Sequence, residues 1–132
     1  MPSNESNVSG VVILTTGIYD LIKDHIRRRK VTLEQEQILT EELRTAEQVL
    51  RKDLPADVVT VDRKVKVKEI TSNEEIEILL VGPKQAKLKN NKHSVLGDVG
   101  LATVGHKVGE IIKWPTNQGV KEYEIVSVEA IS

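Results

Sequence analysis

The densest concentration of side chains able to do chemistry is a run of four cations, Arg27-Arg28-Arg29-Lys30, followed closely by two carboxylates, Glu34 and Glu36. Clustered cations suit an anionic partner, whereas paired carboxylates suit a magnesium ion, which takes oxygen ligands. The two readings compete, because four positive charges beside two acids oppose the binding of a cation. The other candidates are scattered. His25, His93 and His106 lack metal-ligand spacing, and each reads as a surface or core-edge residue. Ser94 has no evident base partner. Gly100, Gly105 and Gly109 fit neither a dinucleotide fingerprint nor a phosphate-binding loop, and turn geometry accounts for them. No HExxH or GxSxG pattern occurs. The residues therefore predict no self-contained active site, no enzyme activity, no cofactor and no metal.

Composition narrows the class. The chain has 132 residues, room for one domain with an appendage. Nineteen Lys and Arg against 20 Asp and Glu leave a net charge of −1, which argues against coating nucleic acid by bulk charge. With no cysteine, disulfides, thiolate nucleophiles and Cys-ligated zinc are excluded, and a reducing compartment fits. Met1 to Gly10 lacks the charged start of a signal peptide, and Val11 to Leu14 is too short to span a bilayer. A cytoplasmic protein without a membrane partner is expected. One Trp, two Tyr and no Phe mean that the core must be aliphatic.

The tip-forming cations need elements to hold them. Residues 1–10 read as a loose arm, and Val11 to Leu14 as the lead into a first helix. Thr15, Thr16 and Gly17 supply capping chemistry, with Asp20 in the first turn. Ile18, Leu21, Ile22, His25 and Ile26 recur at helical steps, and the helix is expected to end near Arg29 or Lys30. Thr32-Leu33-Glu34-Gln35 matches a capping box that opens a second helix. Leu39, Leu43, Ala46 and Leu50 then form an a/d seam, with Pro55 as the limit. The second helix is expected to span about 22 residues, roughly 33 Å, and the first about 14, roughly 21 Å. The short connection makes them an antiparallel hairpin over 11–54, a prong that is blunt and positive at its end.

After Pro55 the period changes to two. Val59 and Val61, Val65 and Val67, and Ile76, Ile78 and Leu80 alternate with polar residues. Ser94 to Leu96, Ile111 to Trp114 and Tyr123 to Val128 are further strand candidates. Turn signals separate them at Thr71-Ser72-Asn73, Gly82-Pro83, Asn90-Asn91 and Pro115 to Gly119. An antiparallel sheet domain over 55–132 follows, with a helical turn within Asp98 to Gly105. The fold class is α+β.

Three stretches together resemble the Gre family of transcription elongation factors, which includes the cleavage factors GreA and GreB and the shorter Rnk. They are Leu14-Thr15-Thr16-Gly17-Ile18-Tyr19, the segment from Val81-Gly82-Pro83-Lys84 to His93-Ser94-Val95, and the segment Val99-Gly100-Leu101-Ala102-Thr103-Val104-Gly105-His106-Lys107-Val108-Gly109-Glu110. Trp114-Pro115 and Gly119 to Val126 follow the third. The resemblance implies a coiled-coil hairpin and an FKBP-like domain with a short helix. It also implies docking at the rim of the secondary channel of bacterial RNA polymerase, through the loop Leu96, Gly97, Asp98 and Val99. Any contact with nucleic acid would be indirect, inside the elongation complex, and no small-molecule substrate is implied.

The chain departs from the cleavage factors at three places. Their acidic tip signature is replaced by Arg27, Arg28, Arg29 and Lys30, with Glu34 and Glu36 only in the following turn. The hairpin is much shorter, and Asp98 stands where the family has a proline, so Asp98 reads equally as a docking residue or as an ordinary turn residue or N-cap. The first two departures point to a Rnk-like factor that binds polymerase without stimulating cleavage. The alternative is a true cleavage factor in which Glu34 and Glu36 help to hold the polymerase magnesium ion. Prolyl isomerase activity is set aside, because Trp114 and Tyr123 alone cannot wall a proline pocket. A free-standing hairpin that dimerises along the 39/43/46/50 seam is disfavoured by the short connection.

Overall fold

A computed structural model describes residues 11–130. The expected arm over 1–10 lies outside the described residues. The chain runs β1 (Ile13–Thr15), α1 (Thr16–Arg27), α2 (Leu33–Thr45), β2 (Glu47–Val49), β3 (Arg63–Glu69), β4 (Glu74–Val81), β5 (Lys92–Ser94), α3 (Asp98–Thr103), β6 (Ile111–Thr116) and β7 (Gly119–Ala130).

The helical hairpin starts and turns where its capping residues stand. The Thr15 hydroxyl accepts from the Ile18 N–H, and Thr32 and Gln35 close the expected capping box in both directions. Val11 to Leu14 does not simply lead into α1: Ile13–Thr15 pairs in parallel with Glu47–Val49. Asp20 falls beyond the first turn of α1. The larger correction concerns α2, which ends at Thr45 after 13 residues. Ala46 turns extended and the Glu47 N–H reaches the Val12 carbonyl at 2.9 Å. Glu47 to Leu50 has ordinary helix propensity, but strand pairing with β1 satisfies backbone groups on both segments, and tertiary context overrides propensity. The expected seam therefore breaks. Leu39 is buried, whereas Leu50 is 63% exposed. At 1.5 Å per residue the helices are about 18 and 20 Å long, and no helix among the described residues is long and apolar enough to cross a membrane.

The five-stranded sheet has the order β5-β4-β3-β7-β6. Its long neighbours are antiparallel, as the alternation predicts, but β5 joins β4 in parallel. Asn91, in the left-handed conformation at φ 60°, ends the turn that makes this return. Val59 and Val61 lie outside the strands. Val59 instead exchanges backbone hydrogen bonds with the Gly105-His106 segment at 2.9 Å, and the buried Arg63 guanidinium donates to the Pro55 and Val58 carbonyls. One aliphatic core unites Val12, Leu14, Ile18, Ile22 and Leu39 of the hairpin region with the inner face of the sheet around Trp114. Hairpin and sheet are thus held by shared burial.

Candidate partner-binding face

Gln35, Leu39 and Glu42, spaced by four and three, form one face of α2, and each touches the sheet side of the molecule. The Gln35 Nε2 donates to the Pro115 carbonyl at 2.7 Å and, more weakly, to Asp98 Oδ1 at 3.5 Å. Leu39 enters the core, and Glu42 Oε2 lies 3.0 Å from His106 Nε2. These three contacts, two helical turns apart, lay α2 along the sheet module. The hairpin is therefore not a free-standing prong along its second helix: the first turn of α2 is fastened beside Asp98 and its last turns beside His106.

Those connecting residues carry the four cations. Arg28 caps α1 and Arg29 takes the left-handed conformation at φ 59°. The Arg29 N–H bonds to the Ile26 carbonyl at 2.9 Å and the Lys30 N–H to the His25 carbonyl at 3.2 Å. This is a Schellman closure with arginine where glycine is usual. Arg27 and Arg28 both bond to Asp24, and the Arg27 hydrogen bond, ahead of the charges, holds its carboxyl below the ordinary value despite the cost of desolvation. Arg29 and Lys30 are exposed, with no acidic partner among the described residues. Glu34 is exposed and Glu36 half-buried, on either side of the anchored Gln35. They sit in the first turn of α2, where carboxylates suit the helix dipole. No group of three or more metal-ligating side chains occurs among the described residues.

The loop Leu96 to Val99 lies on the other side of Gln35. Gly97 caps α3 without a side-chain bond, and Asp98 is the first helical residue. Asp98 is more than a turn residue: its Oδ1 accepts the Trp114 indole N–H at 3.2 Å. Gly97 and Asp98 are exposed, whereas Leu96 and Val99 are half-buried. Gly100 is fixed by space, since a Cβ there would meet the Ser94 and Val95 carbonyl oxygens at 2.6 Å. The loop borders a recess of about 470 Å³ lined by Leu88, His93, Ser94, Asp98 and Val99, with Leu88 74% exposed. Burial pulls the His93 imidazole down, which favours its neutral form there.

A family model described as "Transcription elongation factor, GreA/GreB, C-term" matches residues 54–130. The chain belongs to the GreA/GreB family. It is 41% identical over 86 residues to the transcription elongation factor GreA of Clostridium botulinum strain Langeland, a match covering 65% of this chain and 54% of that protein. The chain thus spans about half the length of the curated relatives it matches. It is similar to the solved GreA/GreB elongation factor of Nitrosomonas europaea, with a TM-score of 0.65 and 29% identity over 92% of this chain and 99% of that one. Thermus aquaticus Gfh1, with a TM-score of 0.50 and 20% identity over 92% of this chain and 100% of that one, shares the fold.

One residue of this Gre-family chain escaped the sequence reading. His106 is 1% exposed, not a surface or core-edge residue. Its Nδ1 lies 2.7 Å from Glu110 Oε1 and its Nε2 lies 3.0 Å from Glu42 Oε2. Burial works against its charge, but hydrogen bonds to Glu110 and Glu42 outweigh that and push its pKa up to about 9. A ring with that pKa carries its proton at neutral pH, so both nitrogens donate to the two carboxylates. Gly105 next to it has φ +86°, and a Cβ would meet Leu14 Cδ2 at 2.8 Å and Val12 Cβ at 2.9 Å. The four-residue spacing of His106 and Glu110 was a local signal, but Glu42 stands 64 residues away.

Proposed function

We propose that this Gre-family chain binds bacterial RNA polymerase at the secondary channel, through the Leu96–Val99 loop and the basic hairpin end, and modulates transcription without stimulating transcript cleavage. The observation that carries the reading is the 2.7 Å bond from Gln35 to the Pro115 carbonyl. It ties the first turn of α2 to the sheet module, so Glu34 and Glu36 flank an anchored residue and cannot be carried far forward to a distant metal. The free charges at the hairpin end are cations, which oppose magnesium and suit acidic protein surfaces. The bonds of Gln35 to the Pro115 carbonyl and to Asp98 also set the first turn of α2 beside the Leu96–Val99 loop, which supports a contact that uses both.

The test is a pull-down with core RNA polymerase, followed by competition against a cleavage factor and a cleavage assay on a stalled elongation complex. The expected outcome is binding, displacement of the cleavage factor and no stimulated cleavage. No binding would overturn the reading. Stimulated cleavage that is lost in Glu34→Ala/Glu36→Ala would favour the alternative in which these carboxylates help to hold the polymerase magnesium.

A further inference from the structure

Tyr123 is 6% exposed, yet no protein group among the described residues takes its hydroxyl. The ring is buried, and the hydroxyl, unbonded to protein, is left to water or to an incoming group. Tyr123 borders two adjoining recesses. One, of about 250 Å³, is lined by Asp98, Thr116, Gln118 and Lys121, and the other, of about 200 Å³, by Val67, Glu69, Glu74, Ile76 and Val99. Tyr123 lines both recesses, with Asp98 in the first and Glu69 and Glu74 in the second, and burial, then the charges of Glu69 and Asp98, push its phenol upward. Lys121 lies 3.8 Å from Glu69, and the two linings together hold three carboxylates, Asp98, Glu69 and Glu74, against one ammonium.

We propose that this cleft receives the guanidinium of an arginine on a partner protein, with Asp98 and the Tyr123 hydroxyl as its two acceptors. The negative balance selects a cation. Acceptors on two different residues match the planar fork of donors on arginine better than the point charge of an ammonium. Asp98 Oδ1 is held in place by the Trp114 indole, so the carboxylate is presented without reorganisation. The apolar wall of Val67, Ile76 and Val99 suits the methylene stem.

Trp114 is the only tryptophan, so its indole N–H gives one reporter signal bonded to Asp98. Titration with N-acetyl-arginine methylamide, followed by that 15N–1H signal, is expected to give a saturable shift, with none from the uncharged N-acetyl-citrulline methylamide. Tyr123→Phe keeps the ring and is expected to weaken binding about tenfold, as for loss of one hydrogen bond to a charged group. Asp98→Asn is expected to abolish it. Equal shifts from both amides, a shift that never saturates, or unchanged binding in Tyr123→Phe would overturn the proposal. A polymerase pull-down on the same variants separates the two readings. Wild type that takes up arginine amide but not polymerase defeats only the polymerase reading, and the converse defeats only this one.

Discussion

At the hairpin end, Asp24 serves Arg27 and Arg28 in open solvent, and the Arg27 side chain is 77% exposed. At the junction, Glu42 and Glu110 share His106, whose side chain is 1% exposed. The first cluster joins residues three and four apart on one helix. The second joins α2 to the segment that follows α3. Exposed pairs gain little, because water competes and side-chain entropy opposes them. Buried pairs are poor sources of net stability but costly to break, because the surviving partner is left uncompensated. The junction therefore fixes how the hairpin lies on the sheet, whereas the hairpin end is left free to meet something else.

The largest effect is expected from His106→Ala. It leaves two largely buried carboxylates facing each other and a cavity beside Gly105. The expected loss is about 3–5 kcal/mol in urea unfolding. A loss no larger than that of an exposed ion pair would show that the junction does not hold the hairpin.

The next test uses pH. The folded pKa of His106 is about 9 against an ordinary 6.5, a difference equivalent to about 3 kcal/mol. A pKa raised by folding adds stability that is complete below the unfolded value and disappears as pH rises through the folded one. Glu110 shifts the other way: desolvation raises it, but the His106 hydrogen bond prevails and leaves it lowered. Its contribution is present above the ordinary carboxylate value and is lost in acid. Urea midpoints of wild type should therefore fall from neutral pH through about 9, and Glu42→Gln should flatten that fall. An equally steep profile in Glu42→Gln would assign the effect to another group.

Sequence patterns disclosed what is local. The capping box at Thr32 and Gln35, the alternation in β3 and β4 and the short helix at Asp98 are set by neighbours a few residues apart, and each formed where expected. The end of α2 was not legible. Leu39, Leu43, Ala46 and Leu50 have helical spacing, and only pairing with Ile13–Thr15 stops the helix at Thr45. The parallel entry of β5 depends on a turn with Asn91 at positive φ, which its type permits but does not announce. The site divides in the same way. The basic run and the Asp98 loop stood out by composition and resemblance. The Gln35–Pro115 bond and the Glu42–His106 pair, which give the face its shape, join residues 80 and 64 positions apart.

The smallest effect should come from Asp24→Ala. Asp24 accepts from both Arg27 and Arg28, yet all three side chains are open to water, and salt screens what attraction remains. Helix α1 keeps its Schellman closure, because the bonds from Arg29 and Lys30 go to backbone carbonyls, not to Asp24. The urea midpoint is therefore expected to stay within experimental error of wild type, in low and in high salt. What should change is the charge of the hairpin end, where Arg27 and Arg28 lose their shared counter-charge. Retention on a polyanionic column should lengthen at low salt and return to the wild-type value as salt rises. If the midpoint instead dropped as far as in Glu42→Gln, exposure would not be what separates the two clusters, and Asp24 would belong with the groups that hold the hairpin together.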